Sequence, residues 1–181
     1  MTKKVLTAAL FVILAIGLVW AGDKKAAGNA QMEQMKAEMM KCAVCKNVAM
    51  HMDEIGPMGM EAAKLNDGLA IRHWVKSSDA AKVAAFHAAC NAANKAGEAT
   101  LGWSDEQAKT DLCQFCQDMR TAMKAGAHMS YGDTKNGSVM VLTSSDPGVQ
   151  TQLTTLHEKC AMMAASMETP AAGAKTTAKK Y

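Results

Sequence analysis

The stretch Asn136-Gly-Ser-Val-Met-Val-Leu-Thr-Ser-Ser-Asp146 reads as three signals in a row. Asn136-Gly137 is a tight-turn dipeptide of the kind that joins antiparallel strands. Ser138 to Thr143 is a β-branched and apolar run of strand length. Asp146-Pro147 then caps and starts a helix, with Pro at the first helical position, where its missing N–H costs least. The same order of signals stands earlier in the chain, at Asn66-Asp-Gly-Leu-Ala-Ile-Arg-His-Trp-Val-Lys-Ser-Ser-Asp79. There Asn66-Asp67-Gly68 supplies the turn. Leu69 to Val75 reads as the strand, with His73 and Trp74 on opposite faces, and Ser77 and Ser78 can cap the helix that follows.

Working outward, each copy has a helix in front of its turn. Upstream of the first, apolar residues Met32, Met35, Met39, Cys42 and Cys45 recur at three- and four-residue steps and predict a helix from about Ala30 to about Met50. Gly56 and Pro57 stop it. Met58 to Lys64 is ambiguous on its own. The helix after Asp79 runs to about Ala96 and ends at Gly97. In the second half, Ser104 and Gln107 have capping-box spacing. The helix they open reaches about Ala125, with Leu112, Cys116, Met119 and Met123 on one face. His128 to Tyr131 reads as a short strand. The last helix reaches about Met167.

The expected fold is therefore α+β: two tandem helix–hairpin–helix repeats sharing an antiparallel sheet of about four strands, with helices packed on it. Residues 30–97 form repeat 1 and residues 98–168 form repeat 2. Residues 169–181 are Pro, Ala, Gly, Thr and Lys without apolar period and read as a disordered tail. At the other end, residues 1–21 read as a signal peptide: Lys3 and Lys4, an apolar run from Val5 to Trp20, and small residues at a cleavage site after Ala21. Residues 22–29 are a polar lead-in. This places the mature chain in a periplasm or outside the cell, with no stable membrane insertion once the leader is removed.

Removing Lys3 and Lys4 leaves 18 of the 20 Lys and Arg against 17 Asp and Glu. A balance of about +1 offers no basic field for nucleic acid. No Ser/His/Asp arrangement, paired-carboxylate motif or Gly-rich phosphate loop appears, so the chain does not read as an enzyme. A protein partner is not specified by anything in the sequence.

The chemistry lies in six Cys. Cys42/Cys45 and Cys113/Cys116 are Cys-x-x-Cys pairs. His87/Cys90 and His157/Cys160 are His-x-x-Cys pairs. From Cys42 to Cys90 is 48 residues and from Cys113 to Cys160 is 47. Residues three apart on a helix share a face. If the first and last helices of each repeat pack together, each repeat gathers a Cys₃His set, a standard tetrahedral ligand set for zinc. The expected metal ligands are then Cys42, Cys45, His87 and Cys90 in one site and Cys113, Cys116, His157 and Cys160 in the other. Thiolates also suit copper, and the chain holds 16 Met against three Trp, two Tyr and three Phe. Met32, Met35, Met39, Met40, Met50, His51, Met52, Met58, Met60 and His128-Met129 are copper-ligand candidates. The plainer role for Met at helical spacing is core filling.

Two other readings compete. Export favours disulfides, which would make the protein a disulfide-stabilised module that binds a partner. A catalytic Cys-x-x-Cys places its first thiol at a helix start. The helical pattern puts about a dozen residues before Cys42 and about eight before Cys113, so thiol–disulfide catalysis is the weakest expectation. Covalent haem fails, because Lys46 and Gln117 stand where His is needed. The functional expectation is an exported metal-binding protein, with metal buffering or tolerance as its role.

Overall fold

A computed structural model describes residues 33–168. The leader, the polar lead-in and the C-terminal tail expected from sequence lie outside the described residues. A helical segment at 33–40 is followed by turns at 41–45. The elements then run α1 (Lys46–Ala49), α2 (Met52–Ile55), β1 (Met58–Lys64), β2 (Gly68–Val75), α3 (Ala80–Ala99), a 3₁₀ turn (Thr100–Gly102), α4 (Asp105–Asp111), α5 (Gln114–Lys124), β3 (His128–Thr134), β4 (Gly137–Thr143) and α6 (Pro147–Glu168).

The four strands form one antiparallel sheet in the order β1-β2-β4-β3. The fold is thus mixed helix and sheet, with the four-stranded sheet expected. Met58–Lys64, ambiguous in isolation, is the edge strand β1. It pairs with β2 along its whole length, from Met58 opposite Val75 to Lys64 opposite Leu69.

Alternation along the strands decides which face is covered. Leu69, Ile71 and Val75 of β2 are fully buried, and so is Leu142 of β4. Leu69 lies opposite Leu142 and Ile71 opposite Met140. Helix α6 crosses β1 and β2 on this side and supplies Val149, Leu153, Leu156 and Cys160 to the same core. Burying each of these Leu or Ile side chains contributes about 1.5–3 kcal/mol. Helix α3 instead packs mainly on α1, α2 and the 3₁₀ turn, touching β2 and β4. Its Phe86 and Ala89 meet Ile55 and Val75 in a second cluster.

The Ser-Ser-Asp motifs do the same work in both halves. Asp79 accepts from Ala81 N–H at 2.9 Å, and Asp146 accepts from Gly148 N–H at 2.7 Å. Ser77 Oγ accepts from Asp79 N–H and Ser144 Oγ from Asp146 N–H, both at 3.2 Å. Each helix start is therefore held by a side-chain cap.

Gly97 does not end α3. The helix continues to Ala99 because Thr100 is buried beyond it, its hydroxyl donating to Gly97 O at 2.6 Å. Arg120 then clamps this corner from α5. Its Nε donates to Thr100 O at 2.8 Å, and the same guanidinium also donates to Trp103 O and Asp105. Arg120 is 6% exposed. Replacing it by Met should cost about 3 kcal/mol, because buried carbonyl acceptors lose their donor. Urea unfolding of Arg120→Met reads this, and a loss under about 0.5 kcal/mol would contradict it.

His73 is the strand residue on the helix-covered face, opposite Met60 of β1 and Ser138 of β4. Trp74 is on the other face, where its indole lies across Gly59. Burial holds the His73 imidazole below its ordinary pKa of 6.5. The folded chain keeps this group neutral while the unfolded chain takes up a proton, so its stabilising effect is full above pH 6.5 and declines as pH falls below it. His73→Gln should flatten the stability profile between pH 7.5 and 5.5, read by urea unfolding. An unchanged slope would remove His73 as the cause.

Candidate metal centre

Both Cys-x-x-Cys pairs sit where a helix predicted to be continuous is broken. The expected helix from Ala30 to Met50 is helical only over 33–40 and again in α1 and α2, with turns between. The helix expected from Ser104 to Ala125 breaks at Leu112, whose backbone is extended (φ −114°, ψ 141°). Leu112 gains burial at the break, being 5% exposed and packed with Cys42, Ala108 and Cys116. As a result Cys45 stands at the N-terminal boundary of the four-residue α1 and Cys113 at that of the 11-residue α5. The placement of Cys113 well inside a helix is corrected: it stands at a helix start.

Side chains satisfy the carbonyls that the breaks release. Asn47 Nδ2 donates to Val44 O at 2.9 Å and to Ala43 O at 3.2 Å. Gln117 Nε2 donates to Leu112 O at 2.8 Å. One backbone bond joins the two turns directly, Ala43 N–H to Asp111 O at 2.9 Å.

This brings Cys42, Cys45, Cys113 and Cys116 together, with all four Sγ atoms within 4.8 Å of one another. Cys45 Sγ lies 3.7 Å from Cys113 Sγ and 3.5 Å from Cys116 Sγ. Zn–S bonds of about 2.3 Å in a tetrahedron put sulfurs about 3.8 Å apart. A disulfide needs about 2.05 Å. The spacing therefore fits four ligands around one ion. Iron–sulfur clusters also take four Cys, but spread them around a larger core than a single ion does. Ala108 and Leu112 are buried against the sulfurs, with Ala43, Val44, Trp103 and Phe115 around them.

The thiols polarise one another. Hydrogen bonds from Cys113, Cys116 and Cys45, helped by the Cys113 N–H, favour the thiolate at Cys42. Hydrogen bonding from Cys116 brings Cys113 down to about 7. Hydrogen bonding to Cys113 is also the main reason that Cys45 and Cys116 hold their protons more tightly. Four thiols this close could hold a metal ion in place of their protons.

The two His-x-x-Cys pairs are not part of this group. Among the described residues, the one group of three or more metal-ligand side chains is the four-Cys set. The structure joins the two Cys-x-x-Cys pairs to each other, where the sequence reading joined each to its own His-x-x-Cys. His87 Nε2 donates to Gly137 O at 2.9 Å, tying α3 to β4. Cys90 packs against the cluster of Ile55, Val75 and Phe86, and burial raises its pKa. Cys160 is fully buried in the sheet core, which pushes its thiol up to about 11. His157 is half-buried on α6. Asn47 and Gln117, amide side chains just after each second Cys, mark the two local turns but not which turns meet.

The Met residues divide. Met52 and Met60 are core, while Met119, Met123, Met129 and Met140 pack at its margin. Met40 and Met50, flanking the first Cys pair, are 45% and 54% exposed. No helix among the described residues is long and apolar enough to cross a membrane. No known protein family, curated protein or solved structure matches the chain.

Proposed function

We propose that this is an exported metal-binding protein with one closed four-Cys centre, holding zinc as a structural ion. The observation that carries it is the convergence of four half-buried or buried sulfurs within 4.8 Å of one another, with Cys45 Sγ 3.7 Å from Cys113 Sγ and 3.5 Å from Cys116 Sγ. Four protein ligands leave no open position for water or substrate, which is the arrangement of a structural rather than a catalytic site. The thiolate set also accepts copper, and metal buffering is the role that a readily exchanged ion would support. Export rests on the charged and apolar leader in the sequence.

The centre is proposed to join two duplicated halves. β1 and β3 are both seven residues long, and each is followed by a strand that opens on Gly. The central β2–β4 pairing runs from Gly68 opposite Thr143 to Trp74 opposite Gly137, so it is symmetric about Ile71 and Met140. Each half then gives one Cys-x-x-Cys to a site neither can complete alone.

The test is a joint count of metal and thiols on protein purified without added metal. One zinc per chain is expected, with four thiols protected from alkylation until a chelator is added. Cobalt substitution should give tetrahedral visible bands with thiolate-to-metal charge transfer. Two metals per chain, or no metal and no free thiols, would overturn the reading. One copper per chain would keep the centre and replace the ion.

A further inference from the structure

The four cysteines are not equivalent. Cys42 is 2% exposed and Cys116 8%, while Cys45 and Cys113 are half-buried. Cys113 and Cys116 lie at the N-cap and in the first turn of α5, three residues apart on one rigid helix. An accessible sulfur at a helix start, backed by a buried one a turn further on, is the arrangement that thiol–disulfide exchange uses.

We propose that the centre is also a redox switch, opened when an incoming disulfide oxidises Cys113 and Cys116. The proposal rests on the metal reading above. The Cys113 sulfur attacks one sulfur of the incoming disulfide, R–S–S–R. A Cys113–S–S–R bond forms and R–S⁻ leaves. The Cys116 sulfur then attacks the Cys113 sulfur, closing the Cys113–Cys116 disulfide and expelling the second R–S⁻. Two electrons pass from the cysteine pair to the incoming disulfide, which ends as two thiolates. The ion loses two of its four ligands and is released, since Cys42 and Cys45 alone cannot complete a tetrahedral site.

The choice of pair follows from chain connectivity. Cys45 is as close to Cys116 as 3.5 Å, but 71 residues separate them in sequence. Their contact depends on packing between the two turns. Cys113 and Cys116 remain neighbours without it, because α5 itself sets their separation. In the first pair, Cys45 stands at the start of a helix of only four residues, which presents little dipole to a developing thiolate. Cys160 is fully buried and does not compete.

Zinc-loaded protein of measured metal content is treated with sub-stoichiometric oxidised glutathione. Released zinc is followed with a chromogenic chelator, and disulfides are mapped by alkylation and mass spectrometry. The expected result is one zinc released per disulfide formed, with Cys113–Cys116 as the first bridge. Cys116→Ser should trap glutathione on Cys113, and Cys113→Ser should trap at least tenfold less on Cys116. The wild-type mapping stands without either variant. A first bridge that includes Cys45 overturns the proposal, and so does zinc retained after Cys113–Cys116 closes. Zinc-bound protein that resists glutathione overturns the switch alone, whereas protein that takes up no metal overturns both readings.

Discussion

Stripping the metal from the four-Cys centre should lower the melting temperature by more than 10 °C, and Cys116→Ser should do nearly the same. Structural zinc in peptides is worth about 10–16 kcal/mol of apparent binding energy at pH 7. A larger chain with its own core realises part of this, and about 5 kcal/mol is enough for the expected shift in a chain of this size. The loss has a definite location. Residues 41–45 and the α4–α5 junction share one small apolar cluster with the sulfurs, and few other contacts hold the two turns together beyond Ala43 N–H to Asp111 O. The sheet core of Leu69, Ile71, Leu142 and Leu153 is a distinct cluster that meets this one through Phe115. Hydrogen exchange after chelation should therefore rise first at 41–50 and 105–116, with β2 and β4 still protected. Calorimetry with and without chelator measures the size, and a shift below 2 °C would show that the ion contributes no structure.

Gly137→Ala should destabilise the protein by about 2–3 kcal/mol, although it adds a single methyl group. A Cβ at Gly137 would overlap the His73 carbonyl oxygen and crowd Trp74 Cα across the central strand pair. Backbone cannot yield there without breaking β2–β4 pairing. Gly68 meets Leu142 O in the same way at the other end of the pairing, so Gly68→Ala should behave alike. Gly97→Ala is the opposing control. Gly97 lies inside α3 with nothing within 4 Å of its added Cβ, and removing helical Gly should stabilise by about 0.5–1 kcal/mol. Urea midpoints of the three variants order them. Equal effects at Gly97 and Gly137 would exclude close backbone approach as the cause.

Metal-centre formation and strand pairing differ in how far each was legible. Strands β2 and β4 were, because Leu69-Ala-Ile and Val-Met-Val-Leu142 are apolar runs between turn and cap signals, whereas β1 is defined by its pairing with β2. The helix breaks were not. Leu112 and Cys113 fit a helical pattern in isolation, and Ala30 to Met50 does as well. The break at Leu112 is favoured by burial against Cys42, a residue 70 positions away, and no local propensity reports that. Gly97 illustrates the same limit with opposite sign. It reads as a helix end, yet Thr100 and the Arg120 clamp carry the helix past it.

The sequence by itself placed β2, β4 and the helix starts at the two Ser-Ser-Asp motifs, and it marked both Cys-x-x-Cys pairs as metal-ligand candidates. These depend on spacing along the chain, which a local pattern records. Only the tertiary structure decided that the two pairs face each other, and that His87, Cys90 and Cys160 serve packing instead. Ligand sets are defined by distance in space. Four sulfurs converge here because two buried turns meet, and which turns meet is settled by the apolar surface they remove from water together.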